Sequence, residues 1–235
     1  MNSTERMRDS ICTLDTIAPI TGIAFDDDHK VLYSGAGGQI IAYANIGVID
    51  TNADLAQVGP VDLFSIDTIH GIKPLKHSLP RVVVFGGKAV SIVTLLLEIG
   101  HEQSINSFRL VVDMIKENLD DLVLDCTVID DKLFIGYAHN FVDVLVENKS
   151  LARFERSCRV QCPSISALFS LSIVGGNDHG EAKDPLKVLV ASGTAFGKII
   201  LWNFHIPAEE SLIESTVPSV SIVDVLSNHE GDFML

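Results

Sequence analysis

Two groups of residues have types and spacings that suit a metal ion, but neither completes a site. The run Asp26-Asp27-Asp28-His29 offers carboxylate and imidazole ligands, yet consecutive side chains in a short turn point in different directions and cannot all face one cation. Cys158 and Cys162 have the spacing of half a zinc site, but no second Cys/His pair with ligand spacing follows them. We therefore expect a solvated hairpin tip, reduced thiols and no metal.

Two glycine-containing segments have a partial likeness to phosphate-binding loops. Gly35-Ala36-Gly37-Gly38 lies between two apolar runs, lacks the GxGxxG spacing and opens no helix. The segment Gly193–Ile199 is one residue short of a P-loop and ends in isoleucine where Ser or Thr would hold magnesium. Both are predicted to be turns between strands. Because there is also no GxSxG or HExxH motif, we expect no catalytic residues, no cofactor and no small-molecule substrate.

Basic residues are concentrated in two stretches of an otherwise acidic chain. The net charge of −14 argues against a surface that binds nucleic acid everywhere. Residues 68–97 contain no Asp or Glu and hold four cations: Lys73, Lys76, Arg81 and Lys88. A second cluster is interrupted only by Glu155 and consists of Lys149, Arg153, Arg156 and Arg159. Two interpretations stay open for these stretches, ordinary solvated loops or a docking surface for a phosphate backbone or an acidic partner.

A sequence repeat predicts the strands that position these residues. One pattern occurs four times: an apolar strand, small residues with a glycine, and a second apolar strand. The glycines are Gly35, Gly86, Gly136 and Gly193, which are 51, 50 and 57 residues apart. A period near 50 residues is typical of β-propeller blades that carry loop insertions.

Each copy is flanked by two further strand-like segments, which gives four strands per unit. The preceding segments are Pro19–Phe25, His70–Lys76, Asp121–Ile129 and Ile165–Val174. The following segments are Val61–Ile66, Phe108–Ile115, Ala152–Val160 and Val220–Leu226. Phe108–Ile115 also fits a helical spacing, but we interpret it as a strand. Loops are predicted at Thr51–Pro60, Glu98–Asn106 and Gly175–Pro185.

The chain is therefore predicted to be an all-β, WD40-type β-propeller of about four blades plus the start of a fifth, an incomplete ring. We expect the blades at residues 19–69, 70–118, 119–162 and 163–228, with the fifth beginning at residue 229. The N-terminal segment 1–18 contains a strand-like run, Ile11–Ile17, that suits the closing strand of a ring. An open array leaves unpaired edges. We therefore expect the N-terminal part of a longer propeller protein.

Blade-specific phrases connect the chain to a known family. They are Ile69-His70-Gly71-Ile72 with Val83-Val84-Phe85-Gly86-Gly87-Lys88, Asp121–Asp125 with Ala138-His139-Asn140, Gly193 within Ala191–Gly197 followed by Leu201-Trp202, and His229-Glu230-Gly231. Taken in this order, they resemble the WD repeat-containing protein 6 family. Trp202 stands where WD-type repeats place a tryptophan, with Asn203 in place of the usual Asp.

The resemblance implies a non-catalytic scaffold: an auxiliary subunit of a tRNA methyltransferase that 2′-O-methylates the ribose at the anticodon wobble position. Its partners would be the methyltransferase and, through Lys73–Lys88, tRNA. A general WD-repeat scaffold for trafficking or ubiquitin ligation stays open as the alternative. No apolar run reaches about 18 residues and residues 1–10 lack a signal-peptide layout, so we expect a cytoplasmic protein without a membrane span.

Overall fold

The strands follow from runs of β-branched and aromatic residues, whose side chains favour extended backbone. Such runs recur at Val31–Ala36, Arg81–Gly86, Lys132–Tyr137 and Leu186–Thr194, and each forms the second strand of a sheet. The computed structural model describes residues 18–45, 55–98, 107–129, 132–148, 153–162, 168–175, 186–194, 198–206 and 220–227. All regular structure in these residues is extended, without any helix.

Sixteen strands form four antiparallel sheets of four strands each. The first sheet contains β1 (Ile20–Asp26), β2 (Val31–Ala36), β3 (Gln39–Asn45) and β4 (Leu55–Asp62). The second contains β5 (Gly71–Pro74), β6 (Arg81–Gly86), β7 (Ala89–Glu98) and β8 (Ser107–Lys116). The third contains β9 (Val123–Ile129), β10 (Lys132–Tyr137), β11 (Phe141–Asn148) and β12 (Arg153–Gln161). The fourth contains β13 (Leu168–Gly175), β14 (Leu186–Thr194), β15 (Lys198–Ile206) and β16 (Val220–Ser227).

Strand order within every sheet follows the chain, so each sheet is a meander. This arrangement confirms the prediction of four four-stranded units. It also confirms the strand interpretation of Phe108–Ile115, because β8 pairs with β7 along its whole length. Gly37 and Gly38 form the β2–β3 turn, as predicted. In the second glycine-containing segment Gly193 pairs with Ile199 at the adjoining ends of β14 and β15, and residues 195–197 between them lie outside the described residues.

The predicted fourth strand of the first unit was wrong. We expected a loop at Thr51–Pro60 and a strand at Val61–Ile66, whereas β4 spans Leu55–Asp62. Its pairing with β3 shifts register between Val58 and Val61, where Gly59 adopts a positive φ of 104°. Such a bulge accommodates Gly59 and Pro60 within β4, because proline is tolerated in a strand at a bulge.

Three hydrophobic clusters lie between successive sheets and stack them in order. Tyr33 and Ile40 of the first sheet pack with Val82 and Val84 of the second. Phe85 and Ile92 of the second sheet share a cluster with Leu133 and Tyr137 of the third. The last cluster joins Phe134 of the third sheet to Trp202 and Phe204 of the fourth. Each inner sheet is therefore covered on both faces, as in the blades of a propeller.

The recurring glycines occur where backbone and neighbouring groups come very close. A Cβ on Gly86 would overlap the carbonyl oxygen of Thr68 in the segment that leads to β5. A Cβ on Gly136 would overlap the Leu171 side chain of the next sheet. Glycine is the residue that permits this close approach.

The described sheets form an open row. In the part of the chain that the structure describes, no strand of the first sheet pairs with a strand of the fourth. The predicted closing strand Ile11–Ile17 and the fifth blade from residue 229 lie outside the described residues, as do loop residues 51–54, 99–106 and 176–185.

Candidate functional site

The four cations of the first basic stretch lie on the strands and connections of the second sheet, but two of them are neutralised by carboxylates from elsewhere in the chain. Lys73 on β5 forms an ion pair with Asp125 of the third sheet, at 2.5 Å between Nζ and Oδ1. Arg81 at the start of β6 contacts Asp113 on β8, at 3.0 Å between Nε and Oδ2. A local stretch without Asp or Glu therefore does not become a patch of free positive charge.

Asp125 connects three sheets. Its side chain is 5% exposed, and besides the ion pair with Lys73 it accepts a hydrogen bond from the backbone N–H of Ile173 at 2.7 Å. Lys73, Asp125 and Ile173 lie on β5, β9 and β13, the first strands of consecutive sheets. We infer that Lys73 aligns these strands, since a buried carboxylate requires a partner.

Lys76 and Lys88 remain accessible. Lys76 lies between β5 and β6 with an exposed side chain, and it makes no ion pair with any residue that the structure describes. Lys88 lies in the β6–β7 turn, exposed, with its Nζ 3.5 Å from the backbone carbonyl oxygen of Asp120. Their role in binding RNA or a partner stays a prediction.

The second basic cluster is organised around two carboxylates. Arg159 on β12 donates from Nε and Nη2 to the two oxygens of Asp143, at 2.6 and 2.7 Å, and its guanidinium carbon lies 4.1 Å from the centre of the Phe141 ring. The hydrogen bond that Arg159 donates to Asp143 is the main cause that raises the pKa of Arg159 above its usual value. Lys149 and the side chain of Arg153 lie outside the described residues.

Both basic stretches meet at Asp120, in the segment between β8 and β9. Its Oδ2 accepts hydrogen bonds from Arg156 at 3.1 Å and Arg159 at 2.6 Å, while Lys88 approaches its backbone carbonyl. Hydrogen bonding from Arg159, with its positive charge, lowers the pKa of the Asp120 carboxyl. The Asp120 side chain is nevertheless 60% exposed. The structure thus brings together cations that are far apart in the sequence.

His139 and Asn140 occupy the β10–β11 turn and serve different contacts. Asp121 accepts hydrogen bonds from the backbone N–H of His139 at 2.8 Å and contacts its ring Nδ1 at 2.7 Å. Burial raises the pKa of Asp121, but these hydrogen bonds outweigh it and leave the pKa lowered. Asn140 has a φ of 63°, and its side-chain oxygen accepts from Ser192 of the fourth sheet at 3.3 Å. Both residues fix the turn against its neighbours.

Trp202 on β15 is fully buried and hydrogen-bonds to Ser192, the same residue that contacts Asn140 of the third sheet. Its Nε1 donates to the Ser192 hydroxyl at 2.9 Å, and its ring lies 5.8 Å from that of Phe204. β5 begins at Gly71. Directly before it, the His70 N–H donates to the Phe85 carbonyl oxygen at 2.9 Å. These residues make contacts that position sheets and turns.

The remaining candidates for chemistry lie in ordinary structural settings. Asp26 caps the β1–β2 turn by accepting from the N–H groups of Asp28 and His29, at 3.1 and 3.2 Å. Burial raises the pKa of the Cys126 and Cys158 thiols and so disfavours the reactive thiolate. Among the described residues, no three His, Cys, Asp or Glu side chains form a cluster able to hold a metal ion. In the same residues, no helix is long and apolar enough to cross a membrane.

Comparisons with known proteins show similarity in fold alone. No protein-family model matches the sequence, and no curated protein matches it. A crystal structure of BBS1N in complex with ARL6DN, soaked with mercury, is similar with a TM-score of 0.51 and 12% identity, over 93% of this chain and 57% of that chain. A crystal structure of a protein from Lactobacillus plantarum is similar with a TM-score of 0.51 and 12% identity, over 87% of this chain and 56% of that chain. The chain thus spans just over half the length of these proteins, and its fold is all-β and propeller-like.

Proposed function

We propose that this chain is a non-catalytic WD-type scaffold, an auxiliary subunit of a tRNA methyltransferase that 2′-O-methylates the ribose of the anticodon wobble nucleotide. The observation that carries the proposal is the ordered set of family phrases, from Ile69-His70-Gly71-Ile72 to Leu201-Trp202, spread over three of the four sheets. In such a complex the methyl donor and the active site belong to the partner enzyme. This chain would position the tRNA or the enzyme.

The accessible cations support a local RNA contact on an acidic protein. Lys73 and Arg81 are held by carboxylates within the stacked sheets, so contact with tRNA would run through the accessible Lys76 and Lys88. Arg156 and Arg159 would join them where RNA replaces the exposed Asp120 carboxylate. A net charge of −14 disfavours binding of RNA at random across the surface. Recognition would therefore depend on a few placed contacts together with the partner enzyme.

We also propose that the four sheets belong to a longer propeller. The outer face of β1 exposes Ile23 and Phe25, at 65% and 54%, and the fourth sheet exposes Val174 and Ile199, at 58% and 46%. The inner faces of all four sheets are instead covered by their neighbours. A fifth blade and a closing strand would cover these two outer faces.

This proposal predicts that the 235-residue chain self-associates when it is produced alone. Sedimentation velocity should show association that increases with protein concentration, because apolar sheet faces are left uncovered. The double substitution Ile23→Lys and Phe25→Lys should reduce it. Ile66→Lys is the matched control, because Ile66 is 89% exposed but lies outside the sheets. A wild-type chain that stays monomeric and melts cooperatively would refute the longer-propeller proposal.

A general interaction scaffold is the second candidate. BBS1N, to which this chain is similar in fold, was crystallised in complex with another protein, ARL6DN. By analogy, the blade surfaces of this chain would bind a protein partner in trafficking or ubiquitin ligation, without any role in tRNA modification.

Affinity purification of the tagged chain from cells, with and without ribonuclease, separates the two candidates. The tRNA proposal predicts that a 2′-O-methyltransferase co-purifies and that the association survives ribonuclease, because it is a contact between proteins. Recovery of trafficking or ubiquitin-ligase components without any methyltransferase would favour the general scaffold.

A further inference from the structure

The contacts around Asp120 define a small cationic site on the edge between the second and third sheets. Three donors converge there from different elements: Lys88 from the β6–β7 turn, and Arg156 and Arg159 from β12. Backbone hydrogen bonds hold the two segments together, since Leu119 N–H donates to the Lys88 carbonyl at 3.0 Å and Val123 N–H donates to the Gly87 carbonyl at 2.8 Å. The site therefore has a fixed frame.

The two carboxylates in this site differ in how firmly they are held. Asp143 is 6% exposed and takes both Nε and Nη2 of Arg159, so it fixes the plane of that guanidinium. The Asp120 side chain is 60% exposed, and a single oxygen, Oδ2, accepts from both arginines. Only the Asp120 carboxylate can leave without burying an unpaired charge.

We propose that Arg156, Arg159 and Lys88 form a binding site for an RNA phosphodiester, which the Asp120 carboxylate occupies until RNA displaces it. Two guanidinium groups already point their N–H donors at one oxygen position, a geometry that also suits a phosphate oxygen. Lys88 supplies a point charge beside them, with its Nζ 3.5 Å from the backbone carbonyl oxygen of Asp120. A tetrahedral phosphate presents more oxygens than a carboxylate and can accept from all three cations at once.

Phosphate fits this site better than an acidic protein segment does. A carboxylate from a protein partner would form the same contacts with the arginines that the Asp120 carboxylate already forms. The displaced Asp120 carboxylate would stay close by and would repel it. A phosphodiester carries its charge on oxygens that reach Lys88 as well as both arginines. The inference rests on the proposed tRNA-related function for its choice of RNA as the source of phosphate.

The test is binding of a fluorescein-labelled anticodon stem–loop RNA, measured by fluorescence anisotropy at several salt concentrations. Asp120→Asn should tighten binding by about threefold or more, because a competing charge is removed. Arg156→Ala and Lys88→Ala should each weaken binding by about threefold or more and reduce the slope of log K against log salt by about 1. Arg156 is 52% exposed and Lys88 is exposed, so both variants should keep the fold.

Matched controls separate the site from general charge effects. Asp27→Asn makes the same change of charge at an 82% exposed residue in the β1–β2 turn, and Arg109→Ala removes a 60% exposed arginine from β8. Both controls should change affinity by less than about twofold. Pyrophosphate should displace the RNA at lower concentration than polyglutamate does.

Any one of three results in the RNA-binding assay would overturn the site. These are equal tightening by Asp120→Asn and Asp27→Asn, unchanged binding in Arg156→Ala, or no RNA binding by wild type and Asp120→Asn at low salt. Displacement by polyglutamate but not by pyrophosphate would assign the site to an acidic protein and would overturn it too. Loss of wobble methylation in cells lacking the chain, together with any of these results, would leave the proposed function intact. Normal methylation with the predicted affinity pattern would refute that function and retain the phosphate site.

Discussion

Replacing Trp202 by alanine is expected to lower the free energy of unfolding by about 3–5 kcal/mol, the largest effect of any single substitution considered for this chain. The indole is fully buried in the cluster between the third and fourth sheets, near Phe204. Its removal would leave a cavity and would end the hydrogen bond from Nε1 to Ser192. Denaturant unfolding followed by circular dichroism measures the loss.

Two further variants divide this effect between packing and hydrogen bonding. Trp202→Phe keeps most of the apolar volume but has no donor for Ser192, so the loss should be smaller, about 1–2 kcal/mol. Ser192→Ala removes the hydroxyl between Trp202 and Asn140 and should cost about 1–2 kcal/mol. An alanine variant at Trp202 that unfolds like the wild type would contradict the assignment of this residue to the inter-sheet core.

Replacing Lys73 by methionine is expected to cost about 2–3 kcal/mol of stability, because the Asp125 carboxylate would lose its charged partner while it stays buried. Asp125 is 5% exposed and would keep only the hydrogen bond from Ile173 N–H. Asp125→Asn should cost less, about 1 kcal/mol, because the amide oxygen can still accept that hydrogen bond. In the double variant no charge is buried.

A double-mutant cycle tests this interpretation. The loss in Lys73→Met/Asp125→Asn should be smaller than the sum of the two single losses by about 1–2 kcal/mol. Additive losses would mean that Lys73 and Asp125 do not interact across the two sheets. Lys76→Met is a matched control on the same sheet, and it should leave stability nearly unchanged because Lys76 is exposed.

The Lys73 prediction changes how charge reversal in the first basic stretch should be interpreted. Reversal of Lys73 or Arg81 to Glu would place a carboxylate beside Asp125 or Asp113 and would destabilise the fold as well as any RNA contact. Lys76 and Lys88 are better probes of binding because neither forms an ion pair among the described residues. A binding defect in those variants can be assigned to the surface itself.

The sheets were predictable from sequence because the signal was repeated four times. The strand–glycine–strand pattern gave the second and third strand of every unit, and its spacing gave the number of units. β8 was interpreted as a strand although its apolar residues also fit a helical spacing, and its pairing with β7 confirms the strand. The prediction was wrong at β4, because a bulge in the β3–β4 pairing places Gly59 and Pro60 inside a strand where a loop at Thr51–Pro60 was expected.

The partners of the charged residues were harder to predict than the strand order, because ion pairs join residues that are far apart in the sequence. Arg81 and Asp113 are 32 residues apart, and Arg159 and Asp120 are 39 apart. One signal was available: Asp125 is the single carboxylate of the apolar strand β9, and Asp143 lies between two valines of β11. A buried carboxylate needs a cation or several N–H donors. That signal indicates that partners exist, but only the register of the sheets identifies them.

Mass spectrometry of nucleosides from purified tRNA measures whether this chain is needed for wobble methylation. The measurement compares cells that lack this chain with cells that express it again. We expect that 2′-O-methylation of the wobble ribose is lost in the deletion strain, while methylation at other tRNA positions is retained. Re-expression of the chain within its full-length protein should restore the modification. Normal wobble methylation in the deletion strain would contradict the proposed role in tRNA modification.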